Sequence, residues 1–221
     1  MFALKDSGMK MIALIDYGSG NIHSAARALR VAANNARKTR EIRVTSDPDA
    51  LATADRIVLP GVGHFADCMA NLKARDGLIE ALEDQVIKGG KPFLGICVGM
   101  QLMADIGLED GETKGLGWIS GKVEPIKPTE NLAVPHMGWN ALHPAAEHDV
   151  LQGLGAQSHT YFVHSYAFKA SSQSTVMATV DYGQTITAAI GRDNLFGTQF
   201  HPEKSQKAGL QLLSNFVKWT P

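Results

Sequence analysis

Short apolar runs alternate with helical apolar stripes along the first hundred residues. Met11-Ile12-Ala13-Leu14-Ile15 is an unbroken apolar run of strand length, and helical spacing follows over 21–30. A second strand is expected over 41–45. Asp47 then offers a cap, with Pro48 at the first helical position, for a short helix over 48–51. Arg56-Ile57-Val58-Leu59 reads as a third strand, stopped by Pro60-Gly61-Val62-Gly63. Helical patterns over 65–72 and 78–87 lead to a fourth strand, Phe93-Leu94-Gly95-Ile96. Strands that are apolar throughout and alternate with helices predict an α/β fold with a parallel sheet covered on both faces.

The second half has a different rhythm. Strand-like runs at 121–125, 140–142, 160–164, 176–180, 187–190 and 195–199 are joined by short connections, with Asp181-Tyr182-Gly183 and Arg192-Asp193-Asn194 as turn signals. They predict antiparallel additions to the same sheet. A last helix is expected over 205–219, with Leu210, Leu213, Phe216 and Val217 at helical spacing. Neither linker nor repeat interrupts the pattern, so one domain is expected over 11–221 behind an extension over 1–10. The run from Met9 to Ile15 is short and contains Lys10, unlike a signal peptide. No run approaches the ~20 apolar residues of a membrane span.

At 221 residues, with 44% hydrophobic and 19% charged side chains, the chain is long enough for one large core. A net charge of −1 leaves no basic footprint for nucleic acid or an anionic membrane. Cys68 and Cys97 are the only cysteines and form no CxxC, which suits a reducing, cytosolic compartment. Cys68, near Phe65 and Met69, reads as core filler. His136, His143 and His148 lack the paired spacing of a metal site, so no metal is expected. Gly18-Ser19-Gly20 begins like a phosphate loop, but His23 stands where the third glycine belongs, and an interface loop is the better reading.

The chemistry concentrates around Cys97. It ends a strand-like run with Gly95 and Gly99 on either side, the layout of a nucleophile elbow with cysteine as nucleophile. A helix starting behind it favours thiolate over thiol. A buried core cysteine is the competing reading. The best base is His201, in Gln199-Phe200-His201-Pro202-Glu203. Pro202 biases His201 toward extended backbone, where residues two apart share a side, so Glu203 can orient the imidazole. Cys97, His201 and Glu203 then satisfy nucleophile–base–orienter logic. Taken alone, His-Pro-Glu equally fits a strand-to-helix turn with Glu203 at a helix start. An oxyanion donor is expected from the Val98 N–H, and a second from Val62 or Gly63 in the glycine-rich loop.

Gly95-Ile96-Cys97-Val98-Gly99-Met100-Gln101 together with His201-Pro202-Glu203 resembles the class I (triad) glutamine amidotransferases. Within them, Asp16-Tyr17-Gly18-Ser19-Gly20-Asn21, Pro60-Gly61-Val62-Gly63, Pro135-His136-Met137-Gly138-Trp139-Asn140, Tyr161-Phe162-Val163-His164-Ser165-Tyr166 and the segment 197–205 resemble the glutaminase-subunit family of imidazole glycerol-phosphate synthases. The resemblance runs from about residue 11 to residue 219. It implies a flavodoxin-like three-layer fold whose central sheet is mainly parallel with antiparallel additions. It also implies hydrolysis of glutamine through a Cys97 thioester without a cofactor. Gln101 and Glu109 match positions that hold glutamine; His164, Ser165 and Tyr166 match the far wall of that pocket. The implied partner is a (β/α)8 cyclase, joined as a heterodimer and fed with ammonia for histidine biosynthesis. Asn21 and Lys204 match positions near its interface, and the segment carrying Trp139 would face it. The glycine-rich loop is expected to turn an N–H into place only when the liganded partner is bound. A glutaminase of another synthase, a standalone γ-glutamyl hydrolase and an inactive binding module are the competing readings. The motif around Trp139 argues against the first, and the intact Cys97, His201 and Glu203 against the last.

Overall fold

Five parallel strands carry the site, and three antiparallel strands complete their sheet. The computed structural model describes residues 10–128 and 132–221, so the extension expected at 1–10 lies, apart from Lys10, outside the described residues. The first half alternates as β1 (Met11–Ile15), α1 (Ile22–Asn35), β2 (Glu41–Thr45), α2 (Pro48–Thr53), β3 (Arg56–Gly61), α3 (Phe65–Lys73), α4 (Leu78–Leu82), β4 (Phe93–Cys97) and α5 (Val98–Gln101). The strands β1, β3 and β4 are buried at every position, as their apolar runs require, with Arg56 at the start of β3 buried through its bonds to the Phe216 and Trp219 carbonyls.

The second half contributes β5 (Ile106–Gly107), β6 (Thr113–Lys114), β7 (Gly121–Pro125), β8 (His136–Ala141), β9 (His143–Pro144), β10 (His159–His164), β11 (Tyr166–Ala170), β12 (Val176–Asp181), β13 (Thr185–Arg192), β14 (Leu195–Thr198) and α6 (Gln206–Lys218). The main sheet runs β2-β1-β3-β4-β14-β13-β12-β9, parallel as far as β14 and antiparallel beyond it. The chain steps from β1 outward to β2 and then reverses through β3 to β4. Right-handed crossovers in opposite directions place α1 on one face and α2, α3 and α4 on the other. α6 joins α1, tied by a buried hydrogen bond from Ser214 Oγ to the Ala32 carbonyl (3.2 Å). The result is the three-layer α/β fold expected.

Three features depart from the sequence reading. The expected antiparallel additions do not all join the main sheet: β7 forms a separate sheet with β5, β6 and β11, for which no strand was expected, while β8 and β10 pair as an antiparallel ribbon. Alternation reveals a strand but not its neighbour. α1 continues to Asn35, well past residue 30, because Ala32 and Ala33 stay on its buried face. The helix expected over 78–87 changes to π-helical geometry over Glu83–Lys88 before Gly89 ends it.

Candidate active site

Three neighbouring parallel strands end at one edge of the sheet, and each delivers part of the site. Cys97 closes β4. Gly61 of β3 is its register partner, and Thr198 of β14 pairs with Ile96 on the other side. Cys97 adopts φ 54° and ψ −112°, a backbone region that costs a non-glycine residue about 1–3 kcal/mol. The flanking glycines have a steric cause. A Cβ on Gly99 would overlap the Leu59 carbonyl oxygen, and one on Gly95 would lie 2.6 Å from the Gly99 carbonyl oxygen. α5 is a single turn, so the helix dipole expected behind Cys97 is small.

His201 is buried, and its Nδ1 lies 2.8 Å from Glu203 Oε1. Glu203 sits in a 3-10 turn, Pro202–Lys204, rather than in extended chain, yet the pair still forms. Backbone bonds fix the segment. The His201 N–H donates to the Tyr161 carbonyl (2.9 Å), and Ser205 Oγ donates to the His201 carbonyl (2.7 Å) while accepting from the Tyr161 N–H (3.0 Å). His201 Nε2 is buried without a hydrogen-bond partner among the described residues. Burial is the largest influence on the ring and opposes its charge, but the adjoining Cys97 and Glu203 outweigh it and raise the His201 pKa to about 10. These two neighbours favour the charged ring, which is suited to stabilising a thiolate and to donating a proton.

A cavity of about 490 Å³ opens over Cys97. Its wall brings together Cys97, Val98, His201, Val62, Gly63, Gln101, Glu109, His164, Ser165, Tyr166, Asn21 and Lys204. Glu203 lies behind His201. Trp139 is outside the wall and 47% exposed, beside Met137 (61%) on the outward side of β8; its ring meets Tyr161 edge-on at 5.9 Å. Several wall residues already hold structural bonds. Asn21 caps α1 through the Ser24 N–H, and Glu109 Oε2 accepts from the Phe65 N–H at the start of α3 (2.8 Å). His164 presents no free ring nitrogen to a ligand. Its Nδ1 faces the Tyr166 carbonyl at 2.8 Å and its Nε2 faces His136 Nδ1 at 3.0 Å. The far wall is therefore left to Ser165 and Tyr166 for polar contact.

Some contributors were not legible in the sequence. Cys68 is buried, as expected, but its Sγ also reaches the Val62 carbonyl at 3.5 Å, beneath the glycine-rich loop; burial pushes its thiol pKa up, so it remains a donor. The Tyr17 hydroxyl is buried nearby without a partner among the described residues. Gln199 is fully buried, with Nε2 3.7 Å from Cys97 Sγ and Oε1 3.0 Å from Gln101 Nε2. Its position two residues before His201 was the available signal, since alternate residues of an extended segment share a side. Among the described residues no group of three His, Cys, Asp or Glu is placed to hold a metal ion, and no helix is long and apolar enough to cross a membrane.

A family model described as "Glutamine amidotransferase class-I" matches residues 13–219. The chain is 54% identical over 212 residues to "Imidazole glycerol phosphate synthase subunit HisH" of Rhodospirillum rubrum, covering 95% of this chain and 99% of that protein. It is 52% identical over 214 residues to the protein of the same description from Brucella suis, again covering 95% and 99%. A crystal structure described as a glutamine amidotransferase superposes with a TM-score of 0.70 at 17% identity, covering 94% of this chain and 99% of that one. At that identity the likeness speaks for the fold alone.

Proposed function

The chain belongs to the class-I glutamine amidotransferase family, and on that premise we propose that it is the glutaminase subunit of an imidazole glycerol-phosphate synthase. It hydrolyses glutamine to glutamate and ammonia and passes the ammonia to a (β/α)8 cyclase subunit for histidine biosynthesis in the cytoplasm. The observation that carries the chemistry is the convergence of Cys97, strained at the end of β4, with a buried His201 held 2.8 Å from Glu203 at one cavity.

The Cys97 thiolate attacks the side-chain carbonyl carbon of glutamine. The C–S bond forms as the carbonyl electron pair moves onto oxygen, which the Val98 N–H and an N–H of Val62 or Gly63 stabilise. His201 gives its proton to the departing nitrogen, the C–N bond breaks, and ammonia leaves a glutamyl thioester. Acylation removes the charge on Cys97 that helped raise the His201 pKa, while burial still favours neutral imidazole. His201 is thereby converted into a base for water. The second tetrahedral intermediate collapses with Cys97 thiolate as leaving group, and glutamate departs. Gln101, Glu109, Ser165 and Tyr166 hold the substrate, with His164 fixing the wall behind them. Asn21, Lys204 and Trp139 face the cyclase.

The test is Cys97→Ala in the complex with the cyclase. Glutamine-dependent synthesis should vanish while ammonia-driven synthesis persists. Loss of both activities from an intact complex would overturn the reading. A glutaminase rate unchanged by adding the liganded cyclase would remove the proposed partner control through the Pro60–Gly63 loop.

A further inference from the structure

Gln199 donates from Nε2 to the sulfur of the proposed nucleophile and accepts at Oε1 from the proposed glutamine-binding residue, Gln101. Nothing in the nucleophile–base–orienter logic uses it. It is nevertheless fully buried, and its backbone N–H is bonded to the Ala188 carbonyl of β13 at 2.9 Å. A buried carboxamide costs free energy unless its polar ends are used, and here both ends point at site residues.

Backbone chemistry fixes the polarity of this chain of bonds. The Tyr166 carbonyl can only accept, so the end of the Gln101 amide lying 3.0 Å away is its NH2 group. The second hydrogen of that group points at Gln199, 3.0 Å away, so Gln199 presents its oxygen there. Its NH2 group must then face Cys97. Gln101 uses both hydrogens within the protein, leaving its Oε1 as the end available to donors of a ligand in the cavity it lines. The orientation is thus set by one carbonyl and passed through two amides to the sulfur.

We propose that Gln199 is a further residue of the catalytic apparatus, steadying the Cys97 thiolate through its N–H and holding the Gln101 carboxamide with its oxygen toward the substrate. The proposal rests on the glutaminase reading and deepens it. The thiolate is present at two moments, as attacking nucleophile and as leaving group when the thioester is hydrolysed. A donor fixed beside the sulfur assists both without moving. Because Gln199 directly follows β14 and stands two residues before His201, the chain that leaves β14 brings both this donor and the base.

Two variants separate the two roles. Gln199→Met is a neutral side chain of similar length that can neither donate to sulfur nor accept from Gln101. Gln199→Glu keeps the acceptor for Gln101 but offers a negative charge to the sulfur. In both, iodoacetamide alkylation of the Cys97 peptide at about pH 7 should slow roughly tenfold, the size expected for one lost hydrogen bond to a charged group. The kcat of glutamine-dependent synthesis by the complex should fall by a similar factor. KM for glutamine should rise several-fold, roughly, in the Met variant and stay near the wild-type value in the Glu variant. Co-elution of each variant with the cyclase on size exclusion reports whether it is folded and docked; if one fails that control, the other decides. Alkylation and kcat within about twofold of wild type in a docked variant would overturn the thiolate role. An equal rise in KM for both variants would overturn the orienting role. A wild-type complex inactive with glutamine would instead remove the functional reading itself.

Discussion

Lowering the pH should unfold this protein through two buried histidines, and the size of the effect follows from their geometry. His164 Nδ1 faces the Tyr166 carbonyl at 2.8 Å, so it carries hydrogen, and its Nε2 must accept from the His136 Nδ1–H at 3.0 Å. His136 is also stacked between Phe162 (centroids 4.7 Å) and Tyr182 (4.0 Å). Both rings are held neutral. Burial is the main cause and brings each to about 4; the Tyr166 bond opposes the shift in His164, and His136 and His201 add to it. These values lie below that of an unfolded histidine, so the unfolded chain binds more protons in the interval. Stability is whole above about pH 6.5 and is lost as pH falls through about 4. At about pH 5 each ring costs roughly 2 kcal/mol, and the pair roughly 4, a large part of a typical 5–15 kcal/mol. His136→Asn keeps a donor toward His164 but cannot titrate. Urea unfolding at about pH 7 and pH 5 should find the variant weaker at both, through lost stacking, while its pH-dependent loss is smaller than that of wild type by about 2 kcal/mol. Equal pH-dependent losses in the two proteins would refute the reasoning.

Three further outcomes are expected. Gly99→Ala drives a Cβ into the Leu59 carbonyl and should abolish glutaminase activity or leave the chain insoluble, which expression and an activity assay distinguish from a tolerated change. Arg56→Met removes the guanidinium that donates to the Phe216 carbonyl (3.0 Å) and to the Trp219 carbonyl, leaving buried acceptors at the end of α6; thermal unfolding should report a loss of about 3 kcal/mol. Because His201 must act as acid first and as base afterwards, the glutamyl thioester should accumulate as pH falls below the range in which acylated-enzyme His201 is neutral. Acid quench and mass spectrometry read this, and accumulation independent of pH would contradict the role assigned to His201.

The parts of the site that were legible are those whose cause is local. Gly95 and Gly99 announced the elbow because the strand–helix contact they permit lies within a few residues of Cys97. Pro202 and the two-residue spacing brought Glu203 to His201 even though the turn proved 3-10. What stayed hidden depends on pairings across the chain. His136 and His164 face each other because β8 and β10 align them in register, which no spacing announces. Gln199 meets Cys97 only because β14 lies beside β4, and Cys68 reaches Val62 only through the packing of α3 beneath the loop. The strands β7 and β10 were readable as strands, but their separation from the main sheet was not, since alternation is the same in either sheet, and β11, which pairs with β7, gave no strand signal of its own.

The energetic character of the site points the same way as its geometry. Cys97 is held in a costly backbone region, and His201 Nε2, Glu203 Oε2 and the Tyr17 hydroxyl are buried without partners among the described residues. Leaving such groups unmade costs about 1–3 kcal/mol each. A fold selected for stability alone would fill or remove them; here β1, β3, β4 and β14, buried throughout, supply the rigidity that keeps them in place. The unpartnered nitrogen of His201 belongs to the ring that must meet the departing amide nitrogen. That nitrogen adjoins the Cys97 sulfur at rest, and its bond to the amide nitrogen is one made only as glutamine reacts. Interactions withheld from the resting protein and made in the transition state raise kcat rather than tighten binding.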